Sequence, residues 1–319
     1  MKVNKKGIFF TFAAIVLSII IISSFNVYTG YRLKDKMEVI EVRINTMNSF
    51  IIDLENDIEN AIFISGFRSL LSLEDYLMDH DVFFGGVGAP SLSVAFSDAF
   101  LKGTIDFDGL PEKIGLMKNN TFINWTTRIK EQTNKTDITV DFTVNSVTIT
   151  QSEPWKVDIT INLDINVKDK KNTASWTIND KDYIKQINIT TRGSNTKFVD
   201  PLYLVNTNGV ANNTIKETIY SSWPADLSLH INNHYYREHS DAPSYLDRFQ
   251  NDNSGSYGIE SMVTDVLQDE SIIVDTSKSA VDYLYFGTSP IPCDVAEIGD
   301  PDFVLDDPTH TGYYGATCV

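Results

Sequence analysis

The side chains able to ligate metals or move protons are few and widely spaced. The five histidines are His80, His230, His234, His239 and His310. His230 and His234 stand at i and i+4, a spacing that on a helix puts two imidazoles on one face, as zinc sites require. Leu227, Leu229 and Ile231 alternate around them as in a strand, and no Glu follows His230 as HExxH demands, so the segment predicts an ordinary polar loop. The only cysteines, Cys293 and Cys318, are far from a Cys-x-x-Cys spacing and predict a disulfide that staples the C-terminal tail in an oxidising space. Between them Asp294, Glu297, Asp300, Asp302, Asp306 and Asp307 crowd into 14 residues. Asp300, Asp302, Asp306 and Asp307 could offer hard oxygen ligands to Ca²⁺ if the tail folds back, although no D-x-D-x-D-G loop is present.

Nucleophile and nucleotide motifs fail on spacing. Gly255-Ser-Tyr-Gly258 is not a G-x-S-x-G elbow. Gly85, Gly86 and Gly88 follow no strand and open no helix with GK[ST], so they make no phosphate cradle. The expectation is a protein with no catalytic residues and no resident cofactor, Ca²⁺ being the one ion the tail could take.

Composition narrows the classes further. With 26 basic against 43 acidic residues the formal net charge is −17, which excludes a general nucleic-acid binder. A hydrophobic fraction of 42%, with 11% aromatic residues, is ample for a packed core. The three charges before Arg32 are all lysines, Lys2, Lys5 and Lys6, and Gly7 to Tyr31 is uncharged throughout its 25 positions. That run is long enough to span a bilayer as a helix, with Tyr28 and Tyr31 at the far interface. Five N-x-S/T sequons, at Asn119, Asn124, Asn134, Asn188 and Asn212, are candidate glycosylation sites, close to the number composition gives by chance.

These residues hang on elements readable from periodicity. Leu33, Met37, Ile40, Ile44, Met47, Ile51, Leu54, Ile58 and Ala61 form an unbroken a/d seam, widened by Val39, Phe50 and Ile62. The seam fits equally a helix packed on the protein's own body and one packed on other helices. Gly66 and Ser72-Leu-Glu-Asp75 predict a break and a restarted helix. Further helices are expected at 92–101 and 122–132. From Ile138 the period becomes 2, flips phase near Asn145, and continues from Trp155 to Val167 without fault, predicting an antiparallel meander of four strands. Asp200-Pro201 before Leu202 to Val205 reads as a turn and short strand, Tyr257 to Asp269 as a short helix, and Ser279 to Gly287 as a strand. The predicted class is α+β: a basic leader and transmembrane helix (1–31), a helical stalk with the seam (32–78), loops and short helices (79–135), and an antiparallel β-rich extracellular domain with a disulfide-closed acidic tail (136–319).

A leader ending in Lys5-Lys6-Gly7, an immediate apolar helix, an amphipathic continuation and then a sheet with a C-terminal disulfide resemble type IV pilin-like proteins. The leader is similar to the class III signal of archaeal and bacterial pilins, which a dedicated peptidase cuts after the Gly. The resemblance therefore implies cleavage after Gly7 and Ile8 as the mature N-terminus. It is carried by residues 5 to about 61 and by layout thereafter, and Phe12 stands where filament-forming pilins usually have Glu. Gly258-Ile-Glu-Ser-Met-Val263 and Ser279-Ala-Val-Asp-Tyr-Leu-Tyr-Phe286 are similar to stretches of archaeal membrane-anchored surface proteins. The implied function is that of a single-pass, non-enzymatic structural or adhesive surface protein with its body outside the cell. Its expected partners are the membrane and, through the N-terminal helix, copies of itself or pilin-like subunits. The alternative is a membrane-anchored ligand-binding ectodomain serving a transporter or receptor.

Overall fold

The computed structural model describes the backbone of residues 5–190, 198–255, 257–288 and 290–319, with side chains at 16–24 and from 37 onward. It is a mixed α+β structure with antiparallel sheets. Helix α1 runs unbroken from Lys5–His80, 76 residues, through both signals read as a break. Ser72 does not cap a new helix; its hydroxyl donates back to the Arg68 carbonyl at 2.7 Å, as Ser69 does to Ser65 at 2.8 Å. Gly66 is a contact point instead, for a Cβ there would sit 2.1 Å from Ile159 Cδ1 of the sheet.

The seam divides in two. Met47, Ile51, Leu54, Ile58 and Ala61 are buried in the protein's own core, and Ile62, Leu70, Leu73 and Leu77 extend the stripe. Met37, Ile40 and Ile44 are 70%, 45% and 39% exposed. The expected stalk is therefore a stalk only in its first part; from Met47 to His80 it is the central element of the body. Gly7, Ile8 and Leu33 lie outside the residues whose side chains are described. Among the described residues no helix is long and apolar enough to cross a membrane. The uncharged run behind that expectation has described side chains only at 16–24, where all are exposed.

Helix α2 (Leu92–Lys102) and helix α3 (Phe122–Asn134) form where their apolar spacing predicts. Between them, where loops are expected, lies a hairpin of β1 (Thr104–Phe107) and β2 (Leu110–Lys113). The main sheet has the order β3 (Ile138–Glu153), β4 (Lys156–Asp169), β5 (Ser175–Asn188). The phase flip near Asn145 is a register shift between Val144 and Ser146. On β4 Val157, Ile159, Ile161, Leu163, Ile165 and Val167 all face the core. Three strands replace the expected four because Asn179 to Asp182 do not turn the chain. Asp180 takes φ 52° at a register shift opposite β4, and its N–H donates to Asp164 Oδ1 at 2.7 Å.

Residues 198–319 are not the β-rich domain expected. They comprise short helices α4 (Pro201–Asn206), α5 (Leu227–Asn232), α6 (Tyr245–Arg248), α7 (Thr264–Asp269), α8 (Asp282–Tyr285) and α9 (Thr309–Tyr314), with two three-residue hairpins. These are β6 (Arg237–His239) with β7 (Gly258–Glu260), and β8 (Pro292–Asp294) with β9 (Val304–Asp306). Helix α4 replaces a predicted strand because Asp200 accepts from Leu202 N at 3.0 Å and Pro201 occupies the first turn. The stretch from Tyr257 opens as β7 before becoming α7, and α8 stands where Ser279 to Gly287 reads as a strand.

Because Ile58 is fully buried and Ile40 is not, Ile58→Ala should lower unfolding free energy by about 2–5 kcal/mol. Ile40→Ala should change it by less than about 0.5 kcal/mol. Chemical denaturation of the two variants checks the division of the seam.

Candidate functional site

The densest chemistry lies in residues 198–319, where charged groups are buried together. In the β6–β7 hairpin Arg237 pairs directly with Glu260 and His239 with Gly258. Arg237 donates through Nη2 and Nε to Glu260 Oε1 at 2.7 and 2.9 Å. Helix α9 supplies the rest. His310 Nε2 lies 2.8 Å from Glu260 Oε2, its Nδ1 lies 2.7 Å from Asp306 Oδ1, and one turn later Tyr314 donates to Glu260 Oε1 at 2.6 Å. Ser279 Oγ donates to Asp306 at 2.8 Å. The Arg237 guanidinium also stacks 3.5 Å from the Tyr313 ring centroid.

Electrostatics fixes the proton. Burial alone would lower the His310 pKa, but hydrogen bonds to Asp306 and Glu260 and their charges outweigh it and push the group up to about 9. Burial works to raise Glu260, yet His310 and Arg237 hold it far below the usual carboxylate range. The four groups thus close as two cations and two anions. His239 completes one wall with Nδ1 3.7 Å from Glu260 Oε2, but accepts from Asp241 N at 3.2 Å and is lowered, chiefly by burial.

A second buried cluster joins this region to α1. Arg248, fully buried, donates through Nη1 to Asp200 Oδ2 at 2.7 Å and to Asp282 Oδ2 at 2.9 Å. Ser261 adds its N–H and hydroxyl to Asp282, and Tyr236 donates to Asp200. Burial, together with the Asp282 charge and against the pull of Arg248, pushes Asp200 up to about 7. Glu74 of α1 is raised well above the carboxylate range by burial, while it accepts Val199 N at 2.9 Å and the Tyr245 hydroxyl.

The sequence-derived candidates fall differently. His230 and His234 do not form a zinc pair. His230 is buried on α5, a helix rather than the strand its neighbours suggested, with Nδ1 3.1 Å from Thr218 Oγ1, whereas His234 faces Asp269 at 3.6 Å. The acidic tail does not converge on a Ca²⁺ site either. Asp300 accepts from Asp302 N, Asp302 from Gln268, and Asp307 from the Thr311 hydroxyl, while Asp306 belongs to the His310 cluster. Cys293 and Cys318 form the disulfide, with Cα atoms 5.6 Å apart. Asn119, Asn134, Asn188 and Asn212 are exposed, and Asn124 is tied into the capping box of α3 with Thr121.

Among the described residues, one group could hold a metal ion: His239, Glu260 and His310, with ligand atoms within 4.8 Å of one another. A cation there would have to displace the proton between His310 and Glu260, beside a carboxylate already neutralised by Arg237. Sequence reading missed the group because its members are 21 and 50 residues apart, on elements with no local signature. A comparison with known proteins finds no matching family model, no similar curated protein and no similar solved structure.

A raised folded-state pKa means that the His310 contribution is complete below its unfolded value near 6.5 and disappears as pH rises through about 9. His310→Gln should therefore cost about 3–5 kcal/mol at pH 6, and the gap from the parent should shrink toward pH 9.5. Thermal melts of both proteins across that range give the measurement; a gap independent of pH would remove the buried imidazolium from the account.

Proposed function

We propose that the chain is a membrane-anchored extracellular surface protein of pilin-like layout that acts structurally or adhesively and carries out no chemistry of its own. The observation that carries this reading is the change of environment along α1. From Met47 onward one face of the helix, including Met47, Ile51, Leu54, Ile58 and Ile62, is buried in the core of the body, whereas Leu17 and the unbroken run Ile19, Ile20, Ile21 and Ile22 are 50% exposed or more. Large apolar side chains in such a row are left uncovered by the protein's own body and call for lipid or a neighbouring helix. The disulfide agrees with an oxidising exterior. The two charge clusters agree with a structural role, since their ionised groups are spent on one another and on backbone.

Fractionation and intact mass test the proposal together. The protein should stay in the membrane pellet after alkaline carbonate and should begin at Ile8. A soluble product starting near residues 25–32 would replace the anchor with secretion, and an intact leader would replace pilin-type processing with a plain signal anchor.

A further inference from the structure

A cleft of about 430 Å³ opens between the β3–β4 hairpin and α6. Gln151 fastens its floor: Oε1 accepts Leu246 N at 3.1 Å, and Nε2 donates to the Glu153 and Pro154 carbonyls. Asp247 contributes a half-used carboxylate, because Oδ2 accepts both donors of Ser244 while Oδ1 has no partner among the described residues. Ser93, Thr150 and Gln250 line the cleft with exposed side chains that make no hydrogen bond among the described residues. Among the described residues no lysine or arginine lines it.

Tyr257 forms the lip. It is 60% exposed and sits at φ +67°, a backbone region that a bulky side chain rarely occupies. The conformation is imposed from both sides. Tyr257 N donates to Ser240 O at 2.8 Å, and the next residue, Gly258, lies so close to Pro243 that a Cβ would meet its carbonyl oxygen at 2.0 Å. The strained backbone therefore presents an aromatic ring beside free hydroxyl, amide and carboxylate groups.

From this juxtaposition we infer that the cleft binds an uncharged saccharide of one or two rings. The apolar C–H face of a pyranose packs on the Tyr257 ring, its hydroxyls exchange hydrogen bonds with Gln250, Thr150, Ser93 and Asp247 Oδ1, and the carboxylate disfavours acidic sugars. The assignment adds a ligand to the surface-protein reading but does not rest on the anchor, which the membrane and mass measurements test separately.

The experiment uses the full chain in a detergent without a sugar headgroup, titrated by calorimetry with glucose, galactose, mannose, N-acetylglucosamine and their β-linked dimers, and with glucuronate as the acidic control. At least one neutral sugar should bind at millimolar affinity. Tyr257→Gly should weaken that binding by about tenfold or more. The same variant should melt no lower than the parent, because glycine accepts the positive φ without strain. Tyr257→Phe should keep most of the affinity, and Gln250→Ala should lose part of it. Absence of binding up to about 50 mM for every neutral sugar, undiminished binding by Tyr257→Gly, or tighter binding of glucuronate would each overturn the assignment.

Discussion

A charge taken out of water must find its counter-charge inside the protein, and residues 198–319 are organised around that requirement. Arg248 has no solvent-exposed surface, so Asp200 and Asp282, 48 and 34 residues distant in sequence, have to reach it. Arg237 makes the same demand on Glu260, and Glu260 in turn on His310. With six helices of at most six residues and two three-residue hairpins, regular backbone pairing constrains this region little. The buried ions act as fixed points between which the loops run, and apolar clusters around Leu202, Tyr283 and Phe303, and around Tyr203 and Val266, fill the intervals.

The first half of the chain rests on a different principle. There α1 and the three-stranded sheet bury continuous apolar faces against one another, and Ile159 and Ile187 reach the helix at the position where Gly66 removes a side chain. Glu74 ties the two regimes together. It sits on α1 but takes its partners from Val199 and Tyr245, so the helix end is fastened to the ion-organised region by a carboxyl whose pKa burial raises.

That contrast explains what was legible in the sequence. Period-2 alternation located β3 and β4 and even the bulge near Asn145, because one face of the sheet is apolar and the other wet. The same rule misled at α8. Val281, Tyr283 and Tyr285 alternate with Asp282 and Leu284, but Asp282 points inward to Arg248, and polar there does not mean solvated. At Gly66 the letter was read as a helix breaker although its role is close approach, which only the partner surface reveals. The charge clusters left no trace in local pattern, since their members meet across many tens of residues. The seam was visible in full, but what covers each part of it is a property of the rest of the chain.

The continuity of α1 has a mechanical consequence. A load applied along the helix from its N-terminal side enters the body through the segment from Met47 to Leu77, whose buried face, from Met47, Ile51 and Leu54 to Leu70, Leu73 and Leu77, lies within one continuous core with the sheet and α2. Such a load shears that interface rather than peeling its contacts one after another, because the α1 backbone is helical without a break from Lys5–His80. Yielding under such a load is expected first in the short, loop-rich elements of residues 198–319, which regular backbone pairing holds least.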